Sequence, residues 1–330
     1  MAAAIIVVLA AAGCASPLTS SGAPQASIPG YRLVHDIPLP GNTGRWDYEA
    51  FDASTHRLYI THLGGGEVVV FDTLQQKVVG VVKDVRSPHG VALAPDAGRL
   101  FVTATGSNEL IAIDLKTLAV VGRAAAGDYP DGLDYVPGLG KVYVTDEHGS
   151  GDTIFDARSM RSTGSVNLGR DIGNTKYDPD AKLLLVAVGS SNELAAIDPR
   201  TDRVVGRFPL PGCEGAHGVQ LVPAPRRAFV ACEGNSQVIA YDLVNNRVLA
   251  RFGVGTTPDV LAYDPELQRV YIACEDGTLA VIQASDPPRK VTQGNAGPNA
   301  HAVAVDSTTH FLYLPLTDVG GRPVLRVLSP

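Results

Sequence analysis

The sequence predicts an all-β chain, a seven-bladed β-propeller with four antiparallel strands per blade and the last blade closed by the N-terminal strand. Two residue columns and one length argument predict it. An aromatic or large apolar residue inside a basic–apolar–aromatic–apolar motif recurs at Tyr59, Phe101, Tyr143, Leu185, Phe229, Tyr271 and Tyr313, at intervals of 42, 42, 42, 44, 42 and 42 residues. An Asp closing an apolar run recurs at Asp72, Asp114, Asp156, Asp198 and Asp242, at intervals of 42, 42, 42 and 44, so the two columns shift together. A period of this size is that of a propeller blade. The seventh copy stops after its third strand, near VLRVLSP, and residues 31–39 (YRLVHDIPL) supply the missing outer strand. A ring closed in that way has no open sheet edge.

The elements follow in chain order. Residues 2–12 are an 11-residue apolar run, too short for the roughly 20 residues of a bilayer span but of the length of a signal-peptide core. The run ends in Ala11-Ala12-Gly13-Cys14, which resembles the lipobox of bacterial lipoproteins. That resemblance implies a lipoprotein-type signal peptide over 1–13 and acylation at Cys14, with no Lys or Arg before the run as its one departure. It also implies export to the periplasm or outer surface, with the lipid as the sole membrane attachment. Residues 14–30 are rich in Ser, Pro, Ala and Gly and read as a flexible tether. Residues 31–330 form one propeller. In the second copy the strands are VALA, RLFVTA, ELIAID and AVVGRAA, separated by PDAG, TGSN and LKTL, which are turn-forming sequences. No window sustains a 3.6-residue period, so helices should be nearly absent.

Composition agrees. The 35 Gly and 23 Pro suit many tight turns, and 45% hydrophobic residues exclude a disordered chain. A net charge of −7 with no run of Lys or Arg disfavours a nucleic-acid surface.

Segments such as WDYEAFDASTHRLYIT, VALAPDAGRLFVTATGSNELIAIDLKTLAVVG and LAYDPELQRVYIACEDGTLAVI resemble the YVTN-repeat, YncE-like β-propeller family over about residues 31–330. Copies four and seven drift most from the pattern. The resemblance is specific for fold and poor for function, because fold does not determine reaction.

Cys213 and Cys232 sit at the start of the first strand and the end of the second strand of blade five, nearly opposite one another, an arrangement that predicts a disulfide in an oxidising compartment. Cys274 repeats the position of Cys232 one blade later and reads as a small core residue. No CxxC or Cys/His spacing suggests structural zinc.

The residues entering the innermost strands should ring the channel mouth. They are Asp47, His89, Asp131, Gly173, His217, Asp259 and His301. A second loop column on the same face adds His62, Glu147, His148, Glu233 and Glu275, whereas His56 and His310 belong to the opposite face and His35 to the closing strand. Imidazole and carboxylate converging on one axis suit a divalent transition metal, or general acid–base work on a substrate. Taken singly, each has a structural use, such as Asp131 in a Pro-Asp-Gly turn. Trp46 beside Asp47 reads as core.

The leading expectation is therefore a monomeric envelope binding module. Its His/Asp face would meet a small molecule or an envelope protein, with one divalent metal ion at the channel mouth as the candidate cofactor. The alternative is a metal-dependent hydrolase or lyase, by analogy with propeller lactonases. There His89, His217 and His301 would be ligands and Asp131, Asp259 or Glu233 the base. No covalent nucleophile is visibly paired to a base. No CxxCH points to haem.

Overall fold

The structure, a computed structural model, describes residues 26–330. The expected signal peptide, the expected lipidation position at Cys14 and most of the expected tether lie outside the described residues. The described chain forms seven four-stranded antiparallel sheets, each a meander in chain order except the last. Blade 1 comprises Glu49–Asp52, Arg57–His62, Glu67–Asp72 and Lys77–Val82. Blades 2 to 6 repeat that plan. Blade 7 takes Ala304–Asp306, Phe311–Leu316 and Val324–Ser329 from the C-terminus and Arg32–Pro38 from the N-terminus as its outermost strand. That strand pairs from Arg32 opposite Ser329 to Pro38 opposite Val324. The ring is thus closed by the expected segment. Helix among the described residues is confined to three single 3-10 turns, Pro95–Ala97, Thr105–Ser107 and Glu233–Asn235. No described helix is long and apolar enough to cross a membrane.

One boundary is corrected. The tether was expected to run to Gly30, but Ser27 N donates to Asn295 O at 2.9 Å and Ile28 is buried against blades 6 and 7. An isoleucine with a ready apolar wall is worth about 2 kcal/mol buried, enough to dock the segment before the closing strand begins.

The strand pattern follows from blade packing. The second strands carry continuous buried runs because neighbouring blades cover both faces, as in Arg57–His62 and Arg99–Ala104. Outer strands such as Val120–Ala125 alternate between half-buried and exposed. The aromatic column is the core itself, with Tyr59, Phe101, Tyr143, Leu185, Phe229, Tyr271 and Tyr313 all buried. The Asp column caps turns: Asp72 Oδ1 accepts from the Leu74 and Gln75 N–H groups, and Asp114 and Asp242 do the same in their blades. In four blades the basic residue opening the second strand latches blades together. Arg57 donates to Leu115 O, Arg99 to Ala157 O, Lys141 to Pro199 O and Arg227 to Ser285 O, each reaching 58 residues onward.

Candidate functional site

Five of the seven channel-mouth positions share one local device. In blades 2 to 6 the first strand pair is interrupted between Pro88/Val91, Pro130/Leu133, Ile172/Thr175, Ala216/Val219 and Pro258/Leu261. These bulges contain His89, Asp131, Gly173, His217 and Asp259. A bulged residue leaves the ladder and its side chain is re-aimed, here toward the axis. Two residues before each stands a left-handed residue: Ser87, Tyr129, Asp171, Gly215, Thr257 and, ahead of His301, Asn299. Thr257 has φ of +49° despite its β-branch, a costly conformation of the kind held at functional sites.

Close packing sets the rest. A Cβ on Gly218 would lie 1.9 Å from Asp259 O, and one on Gly173 would strike the His217 backbone at 2.5 Å. Blade 4 therefore offers no side chain to the ring. Across that gap His217 Nε2 lies 3.5 Å from Asp131 Oδ2, and it also stands 3.8 Å from Glu233 Oε1 and 3.8 Å from Asp259 Oδ1. Thr61 and Thr103 hydroxyls donate to His89 O and Asp131 O of the following blade at 2.7 and 2.6 Å, holding the bulges in place.

Asp47, Asp259 and His301 present one donor atom each, all within 4.8 Å of one another. Asp47 is 1% exposed and neither of its carboxyl oxygens has a hydrogen-bond donor. His301 is as deeply buried. Its Nδ1 lies 3.2 Å from Asn299 O, which can only accept, so the proton sits on Nδ1 and the Nε2 lone pair is unpartnered. Burial pulls the His301 pKa down to about 4 despite Asp259. Burial, reinforced by Asp259, lifts Asp47 well above the usual carboxylate range. The Asp47 carboxyl and the His301 Nε2 thus converge without hydrogen-bond partners, with Arg45 alongside. Its Nε is 3.5 Å from Asp47, its Nη2 is 3.5 Å from Asp259, and its Nη1 donates to Glu275 at 2.6 Å.

The other candidates are placed as follows. His89 keeps its proton on Nδ1 toward Ser87 O (3.1 Å) and accepts the Tyr129 hydroxyl at Nε2 (3.3 Å), with Asp47 Oδ2 3.7 Å away. Burial opposes charge on His217, but Glu233, Asp131 and Asp259 outweigh it and hold its pKa well above the ordinary histidine value. Glu233, half-buried and beside Asp259, Glu147 and Glu275 but opposed by His217, is pushed up to about 7, desolvation being the main cause. Glu147 and Glu275 line the same cavity of about 320 Å³. His148 is exposed and stacks on Tyr129 at 4.3 Å. His62 is a correction. Expected on the rim, it is fully buried, stacked on Trp46 at 3.8 Å, with Nδ1 3.3 Å from Glu67. The chain between Gly41 and Gly65 folds over it, which the loop column alone does not reveal. Cys213 and Cys232 are joined as a disulfide with Cα atoms 5.3 Å apart, and Cys274 is buried and unpaired.

Three participants escaped the column reading: Arg45, Tyr129 and Tyr48. Arg45 and Tyr129 both lie two residues before a ring member, so reading that offset would have found them. Tyr48 donates to Asp259 Oδ1 (3.2 Å) and receives Asn174 Nδ2 (2.7 Å). Tyr48 and Asp259 line both the mouth cavity and a second one of about 300 Å³ farther down the channel, so this trio forms the floor between them.

Fold and site together define the class: a seven-bladed propeller with a buried His/carboxylate ring at one end of its channel. No family model matches the chain, and no curated protein matches its sequence. Among solved structures it is similar to the hydrazine synthase of Kuenenia stuttgartiensis. The TM-score is 0.73 at 19% identity, covering 91% of this chain and 99% of that one. A likeness at that identity shows the fold.

Proposed function

We propose that this protein is an exported, lipid-anchored, YncE-like propeller that acts as a binding module, holding a divalent transition-metal ion at its channel mouth through Asp47, Asp259 and His301. One observation supports it above the others: the buried Asp47 carboxyl and the bare Nε2 of His301 converge with no hydrogen bond to either. Buried acceptors without partners cost about 1–3 kcal/mol each. A cation that accepts nitrogen and oxygen ligands removes that cost. The cavity above is where a small polar ligand, or a side chain of an envelope protein, would approach the ion.

The test is metal content by mass spectrometry on protein purified without chelator or His-tag. At least one ion per chain is expected, lost in an Asp47→Asn/His301→Ala variant that remains folded by circular dichroism. No metal above background in the parent sinks the metal site.

A metal-assisted hydrolase is the second reading, favoured because two of the three donors, Asp47 and Asp259, line an open cavity, whereas structural sites are closed over. A screen of lactones and esters separates the two. Turnover abolished by chelation supports the enzyme, and none with metal-loaded protein leaves the binding module.

A further inference from the structure

The mouth contains a second donor group that the first ion leaves unused. His217, Glu233 and Asp259 also offer atoms within 4.8 Å of one another, and Asp259 is common to both groups. A carboxylate has two oxygens and can bridge two cations. Asp259 is placed for this, set between His301 on one side of the ring and His217 on the other. We propose that the channel mouth is a paired-metal site, with Asp259 bridging one ion held by Asp47 and His301 to a second held by His217 and Glu233. This rests on the reading above and extends it.

Two further observations support the second position independently. Asp131 is 3% exposed and its Oδ1 has no hydrogen-bond partner, while its Oδ2 faces His217 Nε2 at 3.5 Å. It is a spare buried acceptor beside the second group, left unpartnered as the Asp47 carboxyl is within the first. The second observation is charge. Six carboxylates line this cavity, Asp47, Asp131, Glu147, Glu233, Asp259 and Glu275, against the guanidinium of Arg45 and the imidazole of His217. One divalent ion leaves much of that negative charge uncompensated in a partly buried space, where mutual repulsion is weakly screened. Two divalent ions nearly balance it. Gly173 also fits the pairing, because a side chain there would strike the His217 backbone. The ligands are hard oxygens and imidazole, which suit Mn(II), Fe(II) or Zn(II) over a thiolate-seeking ion. Ions bridged in this way polarise a substrate oxygen between them, the arrangement of two-metal hydrolytic sites.

The experiment is titration of metal-free full-length protein with Mn(II), followed by ion counting and electron paramagnetic resonance. Two ions per chain with a spin-coupled spectrum are expected. His217→Ala should bind one uncoupled ion, and His301→Ala likewise one, both variants remaining folded by circular dichroism. One ion per chain in the parent, unaffected by His217→Ala and lost in His301→Ala, overturns the pair while leaving the single site intact. No bound Mn(II) in the parent overturns both.

Discussion

Asp152 is an acid placed against its own chemistry. It is 1% exposed, accepts one hydrogen bond from Thr175 Oγ1 at 2.8 Å, and its Oδ1 has no partner. Burial is the main cause of a pKa pushed up to about 7, with the Asp146 charge adding to it. A group whose pKa is higher in the folded state helps folding only while both states are protonated. Its contribution is therefore complete below about pH 4 and is lost as pH rises to about 7, after which stability levels off. The loss is on the order of 4 kcal/mol. Asp152→Asn should remove this slope, raising the thermal midpoint at pH 8 and changing it little at pH 4. Equal shifts at both pH values would assign the effect to packing and not to charge.

At the scale of the element, the blade-5 hairpin combines stability with site geometry. The Cys213–Cys232 bond ties the loop that leads to His217 to the strand end that leads to Glu233. Glu233 N and Gly234 N also donate to Gly215 O and Glu214 O, both at 2.9 Å, so the two loops stay registered by backbone bonds as well. A Cys213→Ser/Cys232→Ser variant should therefore keep the propeller but lose about 3 kcal/mol of stability, the loop-closure value for a cross-link of 19 residues. Urea unfolding under non-reducing conditions measures this. A variant as stable as the parent would mean that the backbone bonds alone hold the hairpin. The bulges belong to this scale too. Thr61 and Thr103 recur 42 residues apart, yet their role in gripping the next blade's bulge emerges only when neighbouring blades are side by side.

For the molecule as a whole, closure depends on a few bonds between chain ends. Arg326 is 1% exposed and donates from Nε and Nη2 to both Asp36 carboxylate oxygens, at 2.8 and 2.6 Å, and from Nη1 to Ala296 O. Asp36→Ala removes the carboxylate from a buried guanidinium, which should cost about 3–5 kcal/mol. Replacing both, Asp36→Ala with Arg326→Met, should recover part of that loss. A cost below about 1 kcal/mol for Asp36→Ala would shift the burden of closure onto the strand pairing. A propeller that opens here exposes the edge of Val324–Ser329, so size-exclusion profiles of Asp36→Ala should show added self-association on warming.

Repetition made the architecture legible in advance. Seven copies of one strand pattern, in step at 42 residues, leave a ring as the arrangement that buries both faces of Arg57–His62 and its equivalents, and the short last copy names its own closing strand. The composition of the mouth was also readable, because residues at one repeat position must meet at one radius around the axis. Depth and direction were not. His62 and His148 occupy equivalent loops, yet one is sealed under Trp46 and the other exposed. Arg45 and Tyr48, drawn from outside the column, reach carboxylates more than 200 residues away. A sequence period fixes which blade position a residue takes. Whether its polar atoms find a donor, another acceptor or water depends on side chains from other blades, and only the closed ring brings those together.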